Sequence, residues 1–251
     1  MTLLWIIGAG LAGGVLSVLA AAALSLTVLS AWVSRMVSYA VGVLLAVAFL
    51  DLLPEAFEQA ESIEGLFAVT LAGVLSFFLL EKAALWRHRH DHAGSALHAH
   101  GGRAGVLIVI GDSVHNFVDG ILIAAAFLTD VALGMTTTLA VIAHEIPQEV
   151  GDFMVLLHSG YSKKKALMFN VASSLMSVAG GVIGFFALDH VQHAVPYVLV
   201  LAAASFIYIA VADLIPDLHR SSDTRSTVTQ VLLIATGIAT ILLSQEFLHP
   251  H

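Results

Sequence analysis

Ionisable and amide side chains are concentrated in two short stretches whose other residues are mostly apolar. The first stretch carries four such residues within eight positions and the second carries five within nine, namely Asp112, His115, Asn116 and Asp119, then His144, Glu145, Gln148, Glu149 and Asp152. Imidazole, carboxylate and amide groups together form a mixed nitrogen and oxygen ligand set, which suits zinc and also iron(II) or manganese. The chain has no cysteine, so thiolate ligands are excluded. These residue types predict a site for a divalent metal ion.

The spacing within each stretch places the candidate ligands on common helix faces. His115 and Asp119 are four residues apart and therefore share one face of a helix, with Asn116 beside them. The second stretch contains two adjacent stripes at helical spacing, made of His144 with Gln148 and of Glu145, Glu149 and Asp152. Two helices that face each other would then offer two neighbouring metal positions, one richer in histidine and one richer in oxygen.

The composition places these helices in a lipid environment. Of the 251 residues, 59% are hydrophobic and only 11% are charged, with a mean hydropathy of +0.94. A soluble domain carries about 25% charged residues, so this chain has too few charges to cover a globular surface in water. A carboxylate in the middle of a bilayer costs at least about 2.5 kcal/mol. The acids of the two stretches must therefore be paired, hydrated or bound to a cation.

Apolar runs of about 20 residues, the length that crosses a bilayer as a helix, occur eight times. They cover Leu3–Leu29, Val37–Phe57, Leu66–Leu85, Ala104–Leu128, Val131–His158, Ala166–Leu188, Val195–Ile215 and Val228–Leu248. We therefore predict an all-α polytopic membrane protein with eight transmembrane helices, folded as a single transmembrane domain over residues 1–251. The metal site is expected between the fourth and fifth helices, which contain the two polar stretches.

Positive charge is confined to one side of this predicted topology. All ten Lys and Arg residues fall in or beside the connections 1–2, 3–4, 5–6 and 7–8. Because cationic loops are usually cytoplasmic, both termini are expected on the extracytoplasmic side. Connection 3–4 is the predicted cytoplasmic loop of residues 87–103, which holds His88, His90, His92, His98 and His100. That loop is either a weak metal-capturing segment or a plain solvated linker.

The two polar stretches resemble the signatures of a known transporter family. The hexapeptide from His115 to Gly120 reads HNFVDG and is similar to the HNxxDG motif in the fourth helix of the ZIP (Zrt/Irt-like protein) metal transporters. The nonapeptide from His144 to Asp152 reads HEIPQEVGD and is similar to the HExPHExGD motif in the fifth helix of one ZIP subfamily. The eight spans, the external termini and the histidine-rich loop 3–4 also resemble that family.

This resemblance implies a binuclear metal site in a transport path. It implies a main position and a second position, formed respectively by His115, Asp119, His144 and Gln148, and by Asn116, Glu145 and the shared Asp119. Gln148 departs from the motif, which has histidine there, and an amide is a weaker zinc ligand than an imidazole. Some prokaryotic members of that family place a glutamate of the sixth helix at the second position, but the sixth span here has no acid before Asp189. The second position is therefore expected either to be weak or to be completed by Glu149 or water. Family members usually form dimers and move metal by an elevator-like shift of helices.

The function predicted from the residues and the resemblance together is import of a divalent cation into the cytoplasm. Zinc is the first candidate, and Fe2+, Mn2+ and Cd2+ are the others. The expected partners are the metal ion, the lipid bilayer and a second copy of the chain in a homodimer, with no nucleic acid and no prosthetic group. We expect the protein in the plasma membrane, which is the inner membrane if the cell is bacterial.

Two other functions use the same residues. An intramembrane zinc hydrolase would take His144 and Glu145 as the start of an HExxH motif, but Gln148 stands where the second histidine is required. A cation/proton antiporter or exporter would use the same acids with transport in the opposite direction. The prediction is a transporter and not an enzyme. Metal uptake without substrate turnover separates it from the hydrolase, and transport against a pH gradient separates it from the antiporter.

Overall fold

The computed structural model of the chain describes residues 1–27, 30–60, 62–90, 101–219 and 223–248, and this described part is α-helical without strands. Its α-helices are Thr2–Leu11 (α1), Ser17–Thr27 (α2), Ser30–Ala46 (α3), Leu53–Gln59 (α4), Ile63–His90 (α5), Gly101–Thr129 (α6), Val131–His158 (α7), Lys163–Asp189 (α8), Val195–Tyr208 (α9), Ile215–Leu218 (α10) and Thr224–Leu248 (α11). A short 3-10 turn, Gln192–Ala194, leads into α9. Residues 91–100 of the predicted histidine-rich loop lie outside the described residues.

Six helical stretches within the described residues are long and apolar enough to cross a membrane. They are Thr2–Ala23, Ser34–Gln59, Ile108–Thr129, Lys163–Leu188, Gln192–Leu214 and Thr224–Phe247. A further apolar stretch, Ile63–Leu79, is shorter, and the 28-residue helix α7 carries the second polar stretch. The prediction of an all-α polytopic membrane protein is confirmed. The count of eight spans and the direction in which they run remain predictions.

The helices divide into two packed groups. Helix α6 packs along α8, and α1, α2 and α7 complete this first group. In the second group α3 packs along α11, and α5 packs along α9. The groups meet where α3 contacts α7 and where α6 contacts α9. The two helices with the polar stretches, α6 and α7, therefore face each other close to the boundary between the groups.

Glycines allow the backbones of α6 and α8 to approach each other closely. A Cβ atom at Gly120 would meet the carbonyl oxygen of Ser177, and one at Gly180 would meet the carbonyl oxygen of Phe117. Gly184 continues the contact, because a Cβ there would lie 3.1 Å from the Cα atom of Ile121. Small residues at such positions are the usual means of close helix packing in membranes. This contact fixes how far α6 is advanced along α8, and with it the positions of the polar residues of α6.

Three predicted spans contain a π-helical segment where the sequence pattern predicted an uninterrupted helix. The segments are Ala12–Leu16, Val47–Leu52 and Ile209–Leu214. The last two end in the same dipeptide, Asp-Leu, and each is followed by a helix with proline at its second residue, Pro54 or Pro216. Proline cannot donate a hydrogen bond within a helix. A wider turn just before it accommodates the interrupted ladder.

Candidate metal centre

Four side chains from α6 and α7 converge on one point. They are His115 and Asp119 from α6 and His144 and Glu145 from α7, and one nitrogen or oxygen atom of each lies within 4.8 Å of the other three. The i,i+4 spacing on α6 brings its two groups to the same face, and the adjacent pair on α7 meets them across the helix interface. The predicted meeting of the two polar stretches is therefore present in the structure.

Five of the six distances between these atoms are close to the edge length of a tetrahedron around one metal ion. His144 Nε2 lies 3.1 Å from Asp119 Oδ2, and the Nε2 atoms of His115 and His144 are 3.3 Å apart. Glu145 Oε1 lies 3.4 Å from His115 Nε2 and 3.7 Å from His144 Nε2, and His115 Nε2 lies 3.8 Å from Asp119 Oδ2. Zinc bonds of 2.0–2.2 Å require ligand separations of about 3.3–3.6 Å in a tetrahedron. The four atoms surround a space of that size.

A hydrogen bond orients His144 for metal binding. Its Nδ1 atom lies 2.9 Å from the carbonyl oxygen of Ala140, which can only accept, so Nδ1 carries the proton. In the neutral ring the Nε2 atom then carries a lone pair, and this atom faces Asp119 and His115. This is the outer hydrogen bond that metal-binding histidines commonly make. The Phe206 ring of α9, 5.9 Å from the imidazole, covers the histidine from the neighbouring group of helices.

The carboxylates of this centre are buried without hydrogen-bond donors. Asp119 and Glu145 are fully buried, and within the described residues none of their four oxygen atoms accepts a hydrogen bond. Their ion-pair contacts in the described part are to His115 and His144. Burying a carboxylate away from water is costly unless a positive charge accompanies it. The arrangement is that of a cation-binding centre. His115, with 22% of its side chain exposed, is its most accessible member.

A second group of acids adjoins the first and shares Glu145 with it. Asp112, Glu145 and Glu149 bring one carboxylate oxygen each within 4.8 Å of one another, and all three are buried. Asp112 was not among the predicted ligands, although it precedes Asn116 by four residues and lies on the same stripe of α6. The i,i+4 spacing is a signal that identifies it. Asp152, the other acid of the second stretch, lies outside both groups.

The two predicted amide ligands lie beside Asp112. The Asn116 Nδ2 atom donates to the Asp112 carboxylate at 2.9 Å and to its backbone carbonyl at 3.2 Å. The Gln148 Nε2 atom lies 3.5 Å from the same carboxylate oxygen, Asp112 Oδ1. Both amide nitrogens thus point at the all-carboxylate group. The expected role of Gln148 as a ligand beside the histidines, and that of Asn116 in a second position, remain predictions.

An acidic cavity of about 610 Å³ lies at the N-terminal end of α7. Its acidic lining residues come from three parts of the chain and are Asp51, Glu55, Glu58, Asp130 and Glu246. Helix α7 begins at this cavity, next to the lining residue Asp130. The Asp130 carboxylate accepts hydrogen bonds from the backbone N–H groups of Ala132 and Leu133 and so caps the helix. From Asp130 to His144 the distance along α7 is about 21 Å.

The fold defines an integral membrane protein that has a candidate centre for a divalent cation between its helices. Comparison with known proteins assigns this class to a family. The family model described as ZIP Zinc transporter matches residues 87–245, which include both polar stretches. The chain belongs to the ZIP family. Because this is a family of transporters, the predictions of a transporter and not an enzyme, and of no prosthetic group, are confirmed.

Individual relatives agree with this assignment. The chain is 32% identical to zinc transporter ZIP13 of Pongo abelii over 238 residues, which are 86% of this chain and 68% of that protein. It is 40% identical to zinc transporter zipt-7.2 of Caenorhabditis elegans over 131 residues, which are 51% of this chain and 28% of that protein. It is 41% identical to mouse zinc transporter ZIP4 over 119 residues, which are 47% of this chain and 18% of that protein. The chain thus spans about two thirds of ZIP13 and less than a third of the other two.

Proposed function

We propose that this chain imports divalent metal ions, zinc foremost, through a binuclear site within the membrane. The observation that carries the proposal is the convergence of two imidazole nitrogens and two carboxylate oxygens at tetrahedral spacing between α6 and α7. Mixed nitrogen and oxygen ligation also suits Fe2+, Mn2+ and Cd2+, which we propose as further substrates. The names of the similar zinc transporters support zinc as the first.

The residues of the centre have distinct tasks in this proposal. Asp119 and Glu145 supply the negative charge that draws a divalent ion out of water, since neither is neutralised by a hydrogen-bond donor in the described part of the chain. His144 is held in its binding tautomer by Ala140, so it need not reorganise when the ion arrives. His115 is partly exposed and closes the centre on its accessible side. No bond other than metal coordination forms or breaks.

The direction of transport follows from the predicted topology. The acidic cavity at the start of α7 would lie on the extracytoplasmic side, where its carboxylates concentrate cations from solution. The loop of residues 87–103 would lie in the cytoplasm, where its histidines accept the ion after release. We place the protein in the plasma membrane, or the inner membrane of a bacterium. We also propose that it forms a homodimer, with residues 1–251 acting as one transmembrane domain.

Zinc uptake into proteoliposomes tests the proposal. The wild-type chain is expected to accumulate zinc, and Asp119→Ala and His144→Ala are expected to lose most of the uptake at equal amounts of protein in the membrane. His190→Ala is the matched control, because His190 is an exposed histidine at the end of α8 and should leave uptake unchanged. Uptake at the wild-type rate by either Asp119→Ala or His144→Ala would refute the assignment.

A further inference from the structure

We propose that the start of α8 binds the headgroup of an anionic phospholipid through Lys163 and Lys164. The inference goes beyond the proposed transport function and depends on the predicted topology, which places this end of α8 at the cytoplasmic leaflet. The binding surface, called the lysine cluster below, consists of Lys163, Lys164 and Lys165, the first three residues of α8. All three residues are exposed.

The lysine cluster lies at the level where a bilayer meets water. The candidate membrane span of α8 is Lys163–Leu188, so the three lysines begin the span itself. A lysine at the end of a membrane-spanning helix keeps its methylene stem along apolar surface and extends its ammonium group to the interface. The positive charges of the cluster are therefore at the depth of the lipid phosphates and not deep in the bilayer.

The positive charge of the cluster is not neutralised within the described part of the chain. The sequence has no Asp or Glu between Asp152 and Asp189, and among the described residues none of the three lysines forms an ion pair. On the neighbouring helix, Arg103 lies in the first turn of α6, and no acid precedes Asp112 in that helix. Four cationic residues beside membrane spans are typical of segments that bind anionic headgroups.

The loop before α8 holds one end of the cluster in place. Gly160 has a φ of 88°, a left-handed conformation that glycine adopts without strain, and turns the chain after α7. Tyr161 then packs against α6, where a Cβ atom at Gly105 would meet its ring. The Lys165 Nζ atom lies 4.9 Å from the centre of the Tyr161 ring and 5.6 Å from that of Phe169. Lys165 is thus held on an aromatic surface.

This arrangement leaves Lys163 and Lys164 for the headgroup. An isolated surface ion pair with a soluble anion contributes little, whereas lipid phosphates are confined at the depth of the cluster and carry a negative surface potential. Each lysine near such a surface contributes about fivefold in affinity. Because α8 packs along α6, the bound headgroup lies at one end of the helix group that carries the metal centre.

Native mass spectrometry of the full chain in detergent counts bound lipid and tests the proposal. Phosphatidylglycerol and phosphatidylcholine are the two probes, since they differ in headgroup charge. The wild-type chain should bind phosphatidylglycerol at least about tenfold more tightly. The double variant Lys163→Gln, Lys164→Gln should lose at least about tenfold of this affinity and keep its affinity for phosphatidylcholine. The variant Lys163→Arg, Lys164→Arg keeps both charges and should bind like the wild-type chain.

The double variant Lys82→Gln, Arg225→Gln is the matched control. Lys82 lies three residues beyond the apolar stretch Ile63–Leu79, and Arg225 is the second residue of the span Thr224–Phe247. Both are exposed cations on the same predicted side of the membrane, but they belong to α5 and α11 and lie outside the lysine cluster. Removing these two charges should leave the affinity for phosphatidylglycerol near that of the wild-type chain.

Each outcome decides the proposal. Equal losses in the control and the Lys163→Gln, Lys164→Gln variant would overturn it, because total charge and not the cluster would then bind the lipid. Equal affinity of the wild-type chain for the two lipids would overturn it even where a variant fails to fold. Displacement of the lipid by glycerol phosphate at equal concentration would also overturn it, by assigning the cluster to a soluble anion. A chain that prefers phosphatidylglycerol but takes up no zinc refutes the transport function alone.

Discussion

Replacing Gly120 with alanine tests the close contact between α6 and α8 that positions the metal centre. The added Cβ atom would lie 2.6 Å from the backbone nitrogen of Gly181 and 2.8 Å from the carbonyl carbon of Ser177, and it would also meet the Ser177 oxygen. Ordinary contacts between heavy atoms are about 3.5–4.0 Å. The two helices must therefore separate by about 1 Å, because the obstructing atoms belong to the backbone and cannot rotate away.

The expected cost can be set against the gain in helix propensity. Overpacking of this kind costs roughly 1–3 kcal/mol, and alanine recovers up to about 1 kcal/mol relative to glycine in a helix. A separation of about 1 Å also forfeits a quarter to a half of each contact energy along the interface. Asp119 adjoins Gly120, so the separation should displace a ligand as well. We expect a net loss of about 1–2 kcal/mol in stability together with weaker zinc binding.

Gly111→Ala is the matched control on the same helix. A Cβ atom at Gly111 would meet nothing within 4 Å, so this variant gains propensity without overpacking and should be as stable as the wild-type chain or slightly more stable. Thermal unfolding in detergent and zinc dialysis measure both properties for both variants. If Gly120→Ala melts no lower than Gly111→Ala and binds zinc equally well, the inferred close contact does not position the centre.

Two further predictions concern protons and helix capping. Metal binding requires deprotonated imidazole and carboxylate ligands, so protons compete with the metal ion and zinc uptake should fall as the external pH is lowered. Uptake that is constant or rises as the pH is lowered contradicts the reasoning. Asp130→Ala removes the cap of α7 and should lower stability by about 1 kcal/mol, whereas Asp130→Asn keeps a capping side chain and should stay near the wild-type melting temperature. Equal melting of the two variants would show that the cap does not matter.

Periodicity explains why the histidine centre could be predicted from the sequence. The i,i+4 pair His115 and Asp119 and the adjacent residues His144 and Glu145 each fix a direction relative to their own helix, whatever the rest of the fold does. Ionisable side chains are costly in an apolar, membrane-spanning sequence. The sequence therefore predicted that the two polar helix faces lie against each other around a cation. The predicted contact between α6 and α7 therefore depended on local spacing and solvation alone.

The second group could not be predicted in the same way. Whether Asp112 approaches Glu149 depends on how far α6 and α7 are shifted along their axes relative to each other. Such register is a property of the packed bundle. The π segments were missed for a related reason, because a change from one hydrogen-bond register to another leaves the apolar pattern of Val47–Leu52 unchanged.

X-ray absorption at the zinc edge, on the full chain carrying one zinc ion, measures the coordination at the histidine centre directly. We expect two imidazole nitrogens at about 2.0–2.1 Å together with carboxylate oxygens in the wild-type chain. The signal should fall to one imidazole in His144→Ala and remain at two in the exposed-histidine control His190→Ala. An oxygen-only shell in the wild-type chain, or an unchanged spectrum in His144→Ala, would contradict a metal centre built by α6 and α7.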